Sequence, residues 1–390
     1  MIGMTYRCSN NSCFFEDLPF YWHPLESSND NIFSETLPFE LIYDDSRGLL
    51  RQKPRAEVTA ALTSAYNRGS DIVGLMDSEG MSLQYTEDFL TFLDDATGLR
   101  NIAGKGILEI GCGTGYLLHR LQQLDGVVTG CEPGWSQIGK YDVPVIEDFF
   151  PSEAISDKTF DVIIACALLE HLENIDGTLS AVCRHLKESG IFVVSVPDCE
   201  ECITNGDISM LLHEHFSYFT GDSFRATVET ICLAEQKIRR SDFGGFLYGS
   251  FVKDNHPKIG AGRPCIVSKN AFGRIEKNVQ LVRDFIAGQR NRTLGVYVPI
   301  RALNVLSLCA DLIREANVSL RFFDDSPTLI GKYLPGFDIR IENRRSLIET
   351  PPDVILIYTY SFGNKIAEEL REVLPRQVEI YGIADLQKVC

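Results

Sequence analysis

The sequence predicts an α/β protein: a Rossmann-like, doubly wound core with a small irregular N-terminal segment and a second, smaller C-terminal α/β domain. Three observations predict it. Gly106-Ile-Leu-Glu-Ile-Gly-Cys-Gly-Thr-Gly115 passes from a short apolar strand into a glycine-dense turn, and helical spacing follows from Tyr116 to Leu124. Further short apolar runs recur after it at strand length. A second alternation of strand and helix patterns begins near Thr293. The boundaries read as 1–55 for the N-terminal segment, 56–255 for the core with a helical lid at 56–100, and 256–390 for the C-terminal domain.

Taken in order, residues 1–55 are rich in Ser, Asn, Asp and Pro, with Phe14, Phe15, Phe20, Tyr21 and Trp22 interleaved. They read as an irregular cap folded on its aromatics. Ala56 to Tyr66 and Tyr85 to Leu93 carry apolar residues at helical spacing, with a connection from Gly69 to Gly80. The core strands read as Ile107–Ile110, Val127–Cys131, Val143–Ile146, Phe160–Cys166 and Ile191–Val196, with two closing strands in 225–253 and Phe243–Ser250 glycine-marked. Residues 270–288 read as an amphipathic bridging helix. Beyond it come strands Leu294–Val298, Leu320–Phe323, Val354–Tyr358 and Val378–Tyr381, and helices Ala302–Glu315 and Asn364–Val373.

Composition narrows the partners. The 390 residues are 44% apolar and 23% charged, with a net charge of -17. That charge opposes polyanions, so nucleic acid is not the expected partner. No apolar run approaches the ~18 residues of a membrane span. No signal-peptide pattern opens the chain, and the twelve cysteines read as reduced thiols in cytoplasm, with Cys131, Cys166 and Cys232 as core residues.

The glycine turn defines the ligand chemistry. A dinucleotide site wants G-x-G-x-x-G, whereas this run is Glu109-Ile-Gly111-Cys-Gly113-Thr-Gly115. An acid before the first glycine suits a cationic ligand, which points to S-adenosylmethionine with its ammonium and sulfonium. Glu132 ends the second strand about 20 residues beyond the turn, where an acid accepts both ribose hydroxyls. Glu147-Asp148 ends the third, with Asp148 placed to meet an adenine amino group. Glu109, Gly111, Gly113, Gly115, Glu132 and Asp148 form the expected cofactor set.

Two histidine motifs follow the fourth and fifth strands, on the side of the sheet where this fold places ligands. One is Glu170-His171. The other is Leu212-His213-Glu214-His215-Phe216-Ser217-Tyr218-Phe219. The second suggests metal first, but adjacent residues face different ways and no third ligand stands nearby, so no metal is expected. A satisfied structural histidine cluster and an acid/base site both remain open. Cys8 and Cys13, with His23 as a third candidate, resemble half of a zinc site, and no second cysteine pair precedes residue 100.

The glycine turn, Glu132 and Glu170-His171, in that order, resemble the class I S-adenosylmethionine-dependent methyltransferases over about 100–245. With the N-terminal cysteines, Glu214-His215-Phe216-Ser217-Tyr218-Phe219, Phe323-Asp324-Asp325-Ser326-Pro327, Gly331-Lys332-Tyr333-Leu334-Pro335-Gly336 and Pro351-Pro352-Asp353-Val354-Ile355-Leu356-Ile357, the chain resembles the nucleotide-sugar C-methyltransferases along nearly its whole length. It departs from them in three places. Asp44 and Arg47 stand where the second cysteine pair would be, Leu212 replaces a tyrosine, and Gly295-Val-Tyr-Val-Pro-Ile-Arg301 lacks most of a glycine-rich loop.

The resemblance implies a small-molecule acceptor, a nucleotide-linked keto-deoxysugar, methylated at carbon. It implies His171 as the base that removes a proton next to the ketone, with Glu214 and His215 positioning or polarising the acceptor. Tyr66 and Tyr218 are substrate-side candidates. A structural role for Glu170-His171 stands beside the catalytic one. The rival functions are O- or N-methyl transfer to a related metabolite and cofactor binding without turnover. The oligomeric state stays open.

Overall fold

The computed structural model describes residues 6–20, 23–28, 36–67, 76–98, 102–229, 232–254, 266–360 and 362–386. The fold divides into two compact units. One comprises Ile42–Glu201 and Glu214–Lys269; the other comprises Met1–Leu41, Cys202–His213 and Asn270–Cys390.

The first of these units is built on a seven-stranded sheet. Its order is Leu233–Arg240, Phe246–Lys253, Leu186–Pro197, Phe160–Cys166, Gly106–Ile110, Val127–Cys131, Val145–Ile146. All pairings are parallel except those of Phe246–Lys253, which runs antiparallel to both neighbours. Side chains alternate across the sheet, so both faces are apolar. Leu108, Ile110, Ile163, Ala165 and Val194 pack on one face, and Ile107, Val162, Ile164 and Val193 on the other. This is the doubly wound core that the sequence predicts.

Several elements differ from the expectation. The third strand is only Val145–Ile146, and the fifth begins earlier, at Leu186. Within 225–253 the first residues are helical: helix Gly221–Val228 starts at a capping box between Thr220 and Ser223. The two closing strands occupy Leu233–Arg240 and Phe246–Lys253, and Gly244 and Gly245, both at positive φ, turn the chain between them. The lid helices are Ala56–Asn67 and Gly80–Thr97, the latter closed by Gly98 at φ +64° with its N–H on the Asp94 carbonyl. Most of the connection between these helices lies outside the described residues.

The N-terminal segment is not irregular. It carries strands Tyr6–Cys8, Ser12–Pro19, Thr36–Asp44 and Leu49–Gln52. Their hydrophobic pattern is short and broken by polar residues, so pairing, not periodicity, makes them strands. Leu49–Gln52 pairs antiparallel with Ser217–Tyr218, setting Arg51 opposite Ser217 and Leu50 opposite Tyr218.

The second unit holds a parallel sheet ordered Ile341–Glu342, Ser319–Phe323, Thr293–Tyr297, Val354–Ile357, Glu379–Gly382. The helix expected over Ala302–Glu315 is two, Pro299–Leu308 and Ala310–Glu315. Segment Cys202–His213 packs in this unit: Asn304 Nδ2 donates to the carbonyls of Ile208 and Leu211, both at 2.8 Å.

The cysteines correct a further expectation. Cys8 is disulfide-bonded to Cys13, and Cys183 to Cys232, so these four are not thiols and Cys232 is not a plain core residue. Cys8 and Cys13 face each other across the first hairpin, which removes the half zinc site from both sulfurs. Cys131 and Cys166 are buried free thiols. Among the described residues no helix is long and apolar enough to cross a membrane.

Candidate active site

The glycine turn lies at the C-terminal end of the central strand Gly106–Ile110. Gly111, Gly113 and Gly115 have φ of +69°, +51° and +82°, a left-handed region that side chains disfavour. A Cβ on Gly115 would sit 2.8 Å from Trp135. Gly111 N–H donates to the Cys131 carbonyl at 2.8 Å, tying the turn to the second strand.

Two acids flank this turn. Glu109 is 2% exposed, and burial beside Glu132 pushes its carboxyl well above the usual range. Its Oε2 and the Thr114 hydroxyl are buried with no hydrogen-bond partner among the described residues. Glu132 Oε2 accepts from Gly113 N–H and Oε1 from Gly134 N–H, each at 3.1 Å. Burial raises Glu132 as well. Each of its oxygens keeps acceptor capacity for a ribose hydroxyl. The residues therefore fit S-adenosylmethionine: an orphaned buried carboxylate oxygen for a cationic amino-acid end, left-handed glycines for close backbone approach, and an acid for the ribose. Asp148 follows the third strand, its Oδ1 holding the Phe149 N–H at 2.8 Å and its carbonyl accepting from the Cys131 thiol.

The histidine site grows from the fourth strand. After Phe160–Cys166, Ala167 turns the chain at φ +48°, and a 3₁₀ turn over Leu169–His171 presents Glu170 and His171. The segment Glu214–Tyr218 is locked onto this turn by its backbone. Phe216 N–H donates to the Glu170 carbonyl at 2.6 Å, and Gln52 N–H to the Phe216 carbonyl at 3.1 Å.

Side-chain chemistry follows from that docking. His171 Nδ1 lies 3.0 Å from the Glu214 carbonyl oxygen. A carbonyl only accepts, so Nδ1 carries the hydrogen and the neutral ring has its lone pair on Nε2. The rings of His171 and His215 meet edge to face at 4.8 Å, and Tyr218 stands 6.4 Å from His215. Burial holds His171 down to about 4 and, with repulsion from His171, holds His215 well below its usual value, so both rings are neutral near pH 7. Glu214 is 7% exposed.

The third histidine of the motif goes elsewhere. His213 packs in the other unit, donating from Nε2 to the Leu18 carbonyl at 3.2 Å, with Phe20 and Phe39 against its ring. It is a core histidine of that unit.

Glu170 stands out as a residue that sequence reasoning used only as a landmark. It is 1% exposed, with Oε1 3.8 Å from His171 Nε2. One carboxylate oxygen of Glu170 and one ring nitrogen each of His171 and His215 lie within 4.8 Å of one another, so the fold supplies the third candidate metal ligand that the sequence did not show. Only the fold could pair Glu170 with His171 Nε2, because neighbours in sequence do not reveal where their side chains turn.

Tyr66 lies in helix Ala56–Asn67, and its side chain is outside the described residues. The same helix borders a cavity of about 920 Å³, lined by Arg55, Thr59, Thr63, Ser64 and Glu173. Thr59 Oγ1 donates to the Glu173 carboxylate at 3.2 Å, two residues beyond His171.

Residues 83–231 match the family described as a methyltransferase domain. The chain is an S-adenosylmethionine-dependent methyltransferase and resembles the class I enzymes. This methyltransferase is 23% identical to the C-methyltransferase NovU of Streptomyces niveus, over 76% of its own length and 75% of that protein. It is 28% identical to a ubiquinone biosynthesis O-methyltransferase of Glaesserella parasuis over 27% of its length, and the match spans about half (50%) of that relative. Among solved structures it aligns with a 1,6-didemethyltoxoflavin-N1-methyltransferase of Burkholderia thailandensis at a TM-score of 0.38 and 15% identity, covering 56% of this chain and 96% of that one.

Proposed function

We propose that this methyltransferase methylates a carbon next to a ketone, on a nucleotide-linked keto-deoxysugar. The observation that carries the reading is the neutral His171, whose Nδ1–H is held by the Glu214 carbonyl so that Nε2 is the basic atom. S-adenosylmethionine supplies an electrophilic methyl group. What it needs from a carbon acceptor is an electron pair, and a base must free that pair by taking a proton. O- and N-methylation place a weaker demand on a base, because the acceptor atom already has a lone pair.

His171 removes the proton from the carbon beside the ketone, while Glu214 and His215 hold or polarise the acceptor. The partly buried rings help to align the acceptor for in-line displacement. A cavity walled by Thr59, Thr63, Ser64, Arg55 and Glu173 offers hydroxyl, guanidinium and carboxylate groups, which suit a polyol. Similarity to a C-methyltransferase that extends well past the methyltransferase domain supports the same reading. O-methyl transfer is the second reading. The similarity to ubiquinone O-methyltransferases and Leu212 at the tyrosine position favour it.

The test is isotope exchange. Incubated in deuterated water with S-adenosylhomocysteine and a nucleotide-linked keto-deoxysugar, the enzyme should exchange the hydrogen next to the ketone, and His171→Asn should not. Methyl transfer to such a sugar at oxygen, with no exchange at carbon, would decide for the second reading.

A further inference from the structure

We propose that Glu170 is a positioning residue for His171: its buried carboxyl faces the lone-pair nitrogen of the ring and stabilises the imidazolium formed when that nitrogen takes a proton. This rests on the reading above, in which His171 is the base.

Three observations converge on it. Glu170 Oε1 lies 3.8 Å from His171 Nε2, the atom left unprotonated by the Nδ1 contact with Glu214. Glu170 Oε2 is buried with no hydrogen-bond partner among the described residues, so the carboxyl has no other described ion-pair partner to compete for it. The Glu170 backbone is pinned by the Phe216 N–H, which leaves little freedom for the side chain to swing away. Burying a carboxyl is costly unless something compensates it. A positive ring beside it would do so during turnover.

The proton balance is simple. The C–H bond next to the ketone breaks, its electron pair stays on the substrate as an enolate, and the proton goes to His171 Nε2. The ring becomes positive and the ionised Glu170 carboxylate opposes that charge. After methyl transfer the ring returns its proton to solvent. No further reactant is needed.

The charge state of Glu170 then sets the strength of the base. Burial, with Glu214 adding repulsion, pushes Glu170 up to about 8. Near pH 7 it is mostly neutral and lends His171 no counter-charge; above about 8 it is ionised and does. The other titratable or charged groups packed round them are Glu214 and His215 from the docked segment, Cys166 from the fourth strand, and Arg51 and Glu173, where Arg51 donates to the Glu173 carbonyl at 2.7 Å.

The experiment compares full-length wild type, Glu170→Gln and Glu170→Asp. Single-turnover methyl transfer is measured from pH 6 to 9.5, and the His171 ring is titrated by NMR without substrate. Wild type should show a rate rising through about pH 8. Glu170→Gln, the same shape without a charge, should lose that limb and fall roughly 10- to 10³-fold in rate, with its cofactor affinity intact. Glu170→Asp should keep a weakened limb. In the NMR titration, the wild-type His171 ring should sense the ionisation of Glu170 as a step through about pH 8, and Glu170→Gln should lack that step. An unchanged His171 titration in folded Glu170→Gln overturns the proposal, as does a Gln variant that keeps the wild-type limb. Stoichiometric divalent metal, lost in the Gln variant, also overturns it and makes the trio a ligand set. If wild type exchanges no keto-sugar hydrogen while His171 still responds to Glu170→Gln, the carbon-methylation reading fails and the pairing is supported.

Discussion

His171 Nδ1 donates to the backbone carbonyl of Glu214 at 3.0 Å, across 43 residues of sequence. This one bond joins the turn after the fourth strand to the His-Glu-His motif. It also selects the tautomer: the hydrogen is on Nδ1, and Nε2 is the nitrogen able to accept a proton.

Replacing Glu132 should weaken the cofactor. A charge-assisted hydrogen bond is worth about 1.5–3 kcal/mol, so Glu132→Ala should lower S-adenosylhomocysteine affinity by roughly tenfold or more. Calorimetry on the two proteins checks this. Equal affinities would take Glu132 out of the ribose site.

His171→Asn and His215→Asn should cut turnover by roughly 10²–10⁴ and leave cofactor affinity nearly unchanged. A purely structural histidine would lower the thermal midpoint and spare the rate per folded molecule. Turnover, midpoint and affinity measured together separate the two roles. Wild-type rates in both variants would end the acid/base reading.

Gly115→Ala should damage the cofactor turn. The new side chain meets Trp135 at 2.8 Å and must hold φ at +82°, a conformation that costs an ordinary residue about 1–2 kcal/mol. A lower thermal midpoint together with weaker S-adenosylhomocysteine binding is expected. A variant as stable and as tightly binding as wild type would show that the turn readily rearranges.

Stability should fall on the alkaline side because of Glu170. Its pKa in the fold is raised from 4.5 to about 8. A raised acid contributes its full stability below 4.5 and loses it as the pH climbs through about 8, since the unfolded chain ionises first. His171, lowered from 6.5 to about 4, works in the opposite direction: its contribution is present above 6.5 and is lost as the pH drops towards 4. Between pH 6.5 and 8.5 the Glu170 effect therefore dominates this pair. The wild-type thermal midpoint should drop more steeply over that range than that of Glu170→Gln. Parallel curves would show that Glu170 is ionised throughout.

Purified protein should carry little zinc on Cys8 and Cys13, which are bonded to each other. Alkylation at these positions should require prior reduction. Stoichiometric zinc that disappears in Cys8→Ser would overturn both statements.

Local chemistry made the core legible in the sequence. Ile107 to Ile110 is apolar on both faces because the strand is buried on both sides, and the glycines after it sit at positive φ where other residues strain. The order of turn, Glu132 and Glu170-His171 needs no long-range information. Neither do the C-terminal strands from Thr293 onward, each a short apolar run between turn residues.

Tertiary structure alone decided the rest. Leu49–Gln52 is a strand because it pairs with Ser217–Tyr218, a partner more than 160 positions away that no local pattern announces. Cys183 and Cys232, read as ordinary thiols, are joined across 49 residues of sequence, from a helix to the residue before a strand. Most telling are His213 and His215, identical residues two positions apart. The first is spent on the Leu18 carbonyl in one unit, and the second lies beside His171 in the other. The sequence determined that this chain presents a glycine turn, acids and histidines at strand ends, because those choices follow from backbone freedom and hydrophobic spacing. Which histidine faces which carboxyl or carbonyl was decided by the fold, because a side chain's partner is set by segments that are remote along the chain and adjacent only after packing.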